Sequence, residues 1–122
     1  MNLAAYRKLI SAKRYARLSA TLARAKAEEM ALSWTRLKPL EKLVLFKLMD
    51  AEPALALYQA LPFEEKYFLL LGHPTDSVAP MIEGLSPGVR RLFCRKPSGF
   101  YDRMLKLLVG AEIQLPLSYD RN

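Results

Sequence analysis

The 122-residue sequence predicts an all-α protein, a solenoid of short helices preceded by a long basic N-terminal helix. Three observations carry that prediction. No stretch keeps the two-residue alternation of a half-exposed strand over a useful length. Beyond Trp34, proline or glycine punctuates the chain every ten to fourteen residues, and the segments between are rich in Leu, Ala and Phe. Before Pro39 there is neither glycine nor proline, and Ala, Leu, Arg and Lys, all strong helix formers, dominate. An apolar fraction of 52% with 25% charged residues is ordinary globular composition, and the length suits one structural unit.

Residues 1–34 read as a basic, moderately amphipathic helix. Leu3, Tyr6, Leu9 and Ile10 fit a helical stripe, as do Leu18 and Leu22, while Tyr15 falls off it. Arg7, Lys8, Lys13, Arg14, Arg17, Arg24 and Lys26 all precede the first acid, Glu28. From Glu28 onward, basic and acidic residues are equal in number, so the whole net charge of +7 belongs to the first 27 positions. Such asymmetry marks an interaction arm. Four readings of the arm stand side by side. It packs its stripe on the body with a solvated basic face, meets an anionic membrane surface, binds nucleic acid through counterion release, or serves as an organellar presequence. A long exposed helix also suits self-association, with Leu32 and Trp34 at the contact.

Residues 35–109 read as the helical body. Pro39 opens a segment reaching Met49. Asp50-Ala51-Glu52-Pro53 resembles a helix start, with an acidic cap and proline in the first turn, and Pro62 closes the segment it begins. Glu64 and Glu65 place acids in the first turn of the next helix, at the positive end of its dipole, and Gly72 suits its C-terminal cap. Thr75 or Asp76 caps a helix running to about Glu83. Ser86-Pro87 caps a short one reaching Phe93, and Pro97-Ser98-Gly99 precedes a last helix from Phe100 to Val109. Residues 110–122 read as an extended tail, with Ile113, Leu115 and Leu117 able to dock it.

Helices this short are marginal alone and depend on packing. Leu40, Leu43, Val44, Leu45, Phe46 and Leu48 cover most of one helix's girth, which predicts a helix sandwiched between neighbours. Repeated along the chain, that pattern points to a quasi-regular stack in which each unit leans on the next.

The run Leu37-Lys38-Pro39-Leu40-Glu41 through Leu48-Met49-Asp50, continued by Pro53-Ala54-Leu55 to Leu61-Pro62 and Glu64-Glu65-Lys66, resembles the cytosolic N-terminal domain of MgtE-type magnesium transporters. Middle segments of the flagellar rotor switch protein FliG are similar in build. The resemblance spans roughly residues 37–93. It implies a right-handed superhelix acting as a regulatory or scaffolding module, and a relation to magnesium sensing. In that family, acidic residues of the domain share magnesium sites with later modules. Asp50, Glu52, Glu64, Glu65 and Asp76 are scattered here and serve better as caps and dipole partners, so no metal ligand is assigned.

Catalytic groups are sparse. Cys94 and His73 are the single cysteine and histidine. In Leu92-Phe93-Cys94 the thiol reads as a small buried filler, and His73, between Gly72 and Pro74, reads as a loop residue. Adjacent carboxylates such as Glu64 and Glu65 diverge by about 100° on a helix and do not converge on one substrate. The five glycines lie too far apart for a phosphate loop. Arg90, Arg91, Arg95, Lys96 and Arg103 gather near Phe93, Phe100 and Tyr101, a composition suited to protein hot spots and to single-strand platforms.

The sequence therefore predicts a non-catalytic interaction, scaffold or regulatory module without a cofactor, placed in the cytoplasm or at the inner membrane surface. Its candidate partner-binding residues are Arg7, Lys8, Lys13, Arg14, Arg17, Arg24, Arg90, Arg91, Arg95 and Arg103. The alternatives are a nucleic-acid-binding protein working through the basic arm and a stand-alone magnesium-sensing domain.

Overall fold

A computed structural model describes residues 2–113, with side chains as far as Gly110. All regular structure among the described residues is helical, and none of it is strand.

The first 34 residues form three helices instead of one: α1 (Leu3–Ser11), α2 (Tyr15–Leu22) and α3 (Ala27–Ser33), the last running into a 3-10 turn at Trp34–Arg36. The first break is at Lys13, whose φ of 55° lies in the left-handed region. Its N–H bonds back to the Ile10 carbonyl, and the Arg14 N–H to that of Leu9, a Schellman-type closure made without the usual glycine. The break resets the stripe, so that Tyr15, Leu18 and Leu22 all turn inward and are buried. Tyr15 misses the stripe of one continuous helix because it begins a new one.

Beyond that point the punctuation governs where helices begin. α4 (Pro39–Leu48), α5 (Ala51–Ala60) and α6 (Phe63–Leu71) follow closely on one another. A 3-10 turn at Thr75–Val78 leads into α7 (Ala79–Ile82), and α8 (Pro87–Arg90) leads into a 3-10 turn at Arg91–Cys94. The last helix is α9 (Phe100–Ile113). It passes through Gly110, so the first four residues of the predicted tail, 110–113, are helical, and its remainder, 114–122, lies outside the described residues. Proline fits the first turn of α4 and α8, where its missing N–H has no helical partner to lose. Ser86 Oγ accepts the Val89 N–H at the head of α8, and Glu41 Oε1 accepts the Lys38 N–H at 2.7 Å at the head of α4. Gly72 ends α6 with a negative φ, contrary to a left-handed cap. It is small for another reason: a Cβ there would run into the Leu43 side chain.

α4 is the hub. Every residue from Leu43 to Met49 is buried, and α1, α2, α6 and the turns at 75–78 and 91–94 all pack on it. α3 packs on α5, and α9 covers both α5 and α6. These partnerships cross the chain order, so the predicted serial stack gives way to a cluster around one helix. The reason is physical. A helix apolar on all sides needs cover all round, and its two chain neighbours cannot supply it. The N-terminal segment does. Tyr6, Ile10, Tyr15, Leu18, Leu22, Met30 and Trp34 belong to the same core as Leu45, Leu57 and Met104. Burying side chains of this size stabilises by roughly 1.5–3 kcal/mol each, so residues 2–34 are part of the fold and not a free arm. Trp34, expected at a surface contact, is fully buried, while Leu32 is 85% exposed.

Candidate functional site

The ten basic residues singled out from the sequence divide into two groups. Arg7, Arg95 and Arg103 are engaged within the fold. Arg7 joins α1 to the head of α4, donating from Nε to the Glu41 carboxylate at 3.2 Å and from the other end of its guanidinium to the Arg36 carbonyl at 2.6 Å. Arg95 donates to the Leu48 carbonyl at 2.7 Å and to Ser19 Oγ at 2.9 Å, and pairs with Asp50. Arg103 pairs with Glu52 at 3.1 Å in an exposed position. By contrast, Lys8, Lys13, Arg14, Arg17, Arg24, Arg90 and Arg91 are exposed, and none of them pairs with a carboxylate among the described residues.

Three of the unpaired cations converge. The α1–α2 turn presents Lys13, Arg14 and Arg17 around a shallow groove of about 460 Å³, floored by Ala12, Ala16, Tyr15 and Val89 of α8. No acid lines it. Val89 is the one residue of the second basic segment that lines this groove among the described residues. Arg90 itself turns into another depression, shared with Asp76 and Glu83. The aromatics interleaved with these cations are not free to stack. Tyr15 is 1% exposed with its hydroxyl on the Met81 carbonyl at 2.9 Å, and Phe93, edge-on to Tyr15 at 5.0 Å, is buried too. Elsewhere, α9 exposes Tyr101, Leu105 and Val109 at intervals of one turn.

A second concavity, of about 180 Å³, opens where the end of α4, the 72–75 turn, the 91–96 segment and the start of α9 meet. Phe46, Phe93 and Phe100 wall it, and Lys47, His73, Thr75, Cys94 and Lys96 supply its polar groups. Cys94, expected as a buried filler, is exposed, with Sγ 3.6 Å from Thr75 Oγ1. His73 stacks near Phe100 with the rings 18° apart. Lys96 Nζ donates to the carbonyls of Phe46 and Lys47 at 3.0 Å each and to that of Met49 at 2.5 Å, and it lies over the Phe46 and Phe100 rings. Lys47 Nζ donates to the His73 carbonyl at 2.6 Å. Burial pushes the Lys47 ammonium down to about 8. Burial, then the neighbouring Arg95 and Lys47, bring Lys96 down to about 8, while the α4 carbonyls favour its charged form. His73 is lowered by burial and by the same two lysines. The sequence carried one signal for this site, Lys47 as the lone charge in an otherwise apolar run, but nothing local pointed to its companions.

Among the described residues, no three His, Cys, Asp or Glu side chains gather as a metal site, and no helix is long and apolar enough to cross a membrane. The chain matches no family model, no curated protein and no solved structure.

Proposed function

We propose that this protein is a non-catalytic helical binding module that docks an acidic segment of a partner protein in the groove between the α1–α2 turn and α8. The observation that carries this reading is the convergence of Lys13, Arg14 and Arg17 on a groove that no carboxylate among the described residues lines. Like charges brought this close repel one another, and an acidic ligand removes that cost while its apolar side chains cover Ala12, Ala16 and Val89. The choice of protein over nucleic acid rests on the aromatics: single-strand platforms need exposed rings beside the cations, and here Tyr15 and Phe93 are spent in the core. The transporter-like phrase over residues 37–93 is in keeping with a regulatory or scaffolding role.

The test is fluorescence anisotropy with two labelled probes of equal charge, an acidic amphipathic peptide and a single-stranded oligonucleotide, at low and at physiological salt. Peptide binding should weaken at least about tenfold in the Lys13→Glu/Arg14→Glu/Arg17→Glu variant, some 1.4 kcal/mol or more. An oligonucleotide that binds more tightly than the peptide, with a steep salt dependence, transfers the function to nucleic acid. Binding of neither probe removes the groove as a site.

A further inference from the structure

We propose that the cavity at the C-terminal end of α4 is a second, separate site, which binds a small organic anion: a monocarboxylate carried on an apolar ring. The groove at the α1–α2 turn plays no part in it.

The first argument is charge. Two lysines line this cavity, and no carboxylate among the described residues does. Asp50, the acid that acts on Lys96, is paired with Arg95. Buried or half-buried cations are normally matched by an anion, because each is costly to remove from water unpaired. Here the match within the chain is incomplete. Lys96 is saturated, since its three N–H groups go to three carbonyls, and it serves the cavity as a fixed positive charge. Among the described residues Lys47 has one acceptor, the His73 carbonyl, which leaves two of its three N–H groups for a ligand. Thr75 Oγ1 and the His73 ring stand at the same opening as further donors.

The second argument is shape. A volume of about 180 Å³ exceeds the roughly 150 Å³ of an engineered apolar cavity that takes benzene. Walls of Phe46, Phe93 and Phe100 suit a ring face, whereas inorganic phosphate would leave them uncovered. Small-ligand sites commonly combine apolar walls with a few convergent polar groups.

Binding should be linked to protons. The groups facing the cavity are Lys47 from α4, His73 from the turn after α6, and Cys94 and Lys96 from the segment before α9. Arg95 and Asp50 lie behind Lys96, and Tyr101 lies against His73 at 5.2 Å. A bound carboxylate favours the charged lysines, so affinity should be full below pH 8 and fall above it as Lys47 and Lys96 lose their protons, by up to about tenfold per pH unit for each lysine released.

The experiment is calorimetric titration of the full chain with benzoate, inorganic phosphate and benzyl alcohol between pH 7 and pH 9.5, on the native protein and on Lys47→Met. Saturable benzoate binding near or below about 1 mM, weakening above pH 8 and reduced at least tenfold in Lys47→Met, supports the proposal. Benzyl alcohol binding as well as benzoate overturns the anion requirement, phosphate binding without benzoate overturns the ring, and binding of none of the three overturns the site. Should Lys47→Met fail to fold, alkylation of Cys94 by iodoacetamide on the native chain decides. Benzoate should slow it several-fold and phosphate should not, and an unchanged rate in benzoate counts against the cavity.

Discussion

Lys13 shows how one residue holds a structural and a functional demand at once. Its left-handed φ closes α1 and starts α2, at a cost that a non-glycine residue bears and glycine does not. The side chain it keeps there lines the basic groove. Lys13→Gly should therefore stabilise the fold by about 0.5–1 kcal/mol while weakening the acidic peptide, as read by urea unfolding and anisotropy on one preparation. A loss of stability would mean that the turn does not need the left-handed conformation. Tyr58 poses the opposite case. Its ring is fully buried, and its hydroxyl donates to the Met104 carbonyl at 3.1 Å, tying α5 to α9. Tyr58→Phe keeps the ring and deletes the bond, so unfolding should become easier by about 1 kcal/mol. Trp34 pays a similar penalty already, since its indole N–H is buried with no partner among the described residues.

At the scale of the helix, starts and ends obey different logic. Beyond Trp34, starts were legible because the signals are local: Pro39, Ser86-Pro87 and the acids after Pro62 act on their own first turns. Ends were not. α4 and α5 stop at Met49 and Leu61 in extended backbone, without a left-handed glycine, and leave orphan carbonyls. Basic side chains from elsewhere satisfy them. Lys96 reaches the end of α4 from 50 residues along the chain, Arg95 reaches Leu48 from 47, and Lys66 donates to Leu61 at 2.6 Å. The cluster around residues 90–103, which composition alone assigned to a partner, is in part helix capping. No window on the sequence reveals a cap whose donor is so distant. The distinction is measurable. Lys96→Met strips a charged donor from three carbonyls and should cost about 2–3 kcal/mol, whereas Arg103→Ala loses only an exposed ion pair with Glu52 and should cost no more than about 0.5 kcal/mol. Equal losses in denaturant unfolding would refute the capping role.

At the scale of the whole molecule, the helical class followed from composition and punctuation, but the partnerships did not. Periodicity says how much of a helix wants cover, not which helix covers it, and α4 takes its cover from α1 and α2 through a break at Lys13 that no glycine announces. The assembled core then sets a property that no single element has, its response to alkali. Lys47 and Lys96 are held near 8, and Lys66 is lowered as well, against an ordinary lysine value of 10.5. Between pH 8 and pH 10.5 the unfolded chain therefore keeps protons that the folded chain has released. Stability should rise with pH across that window, by up to about 1.4 kcal/mol per pH unit for each of the two lysines held near 8. Tyrosines reverse the sign. Burial pushes Tyr58 up to about 12 and raises Tyr6 and Tyr15, against an ordinary value of 10.0. Above pH 10 the unfolded chain ionises first, so stability falls. The two limbs meet near pH 10. Urea unfolding at intervals from pH 7 to pH 11.5 should trace that maximum, with Lys96→Met flattening the rising limb and Tyr58→Phe making the falling limb shallower. A steady decline in stability from pH 7 to pH 10 would show that these lysines are not held in the core as described, and the cavity they line would lose its charge with them.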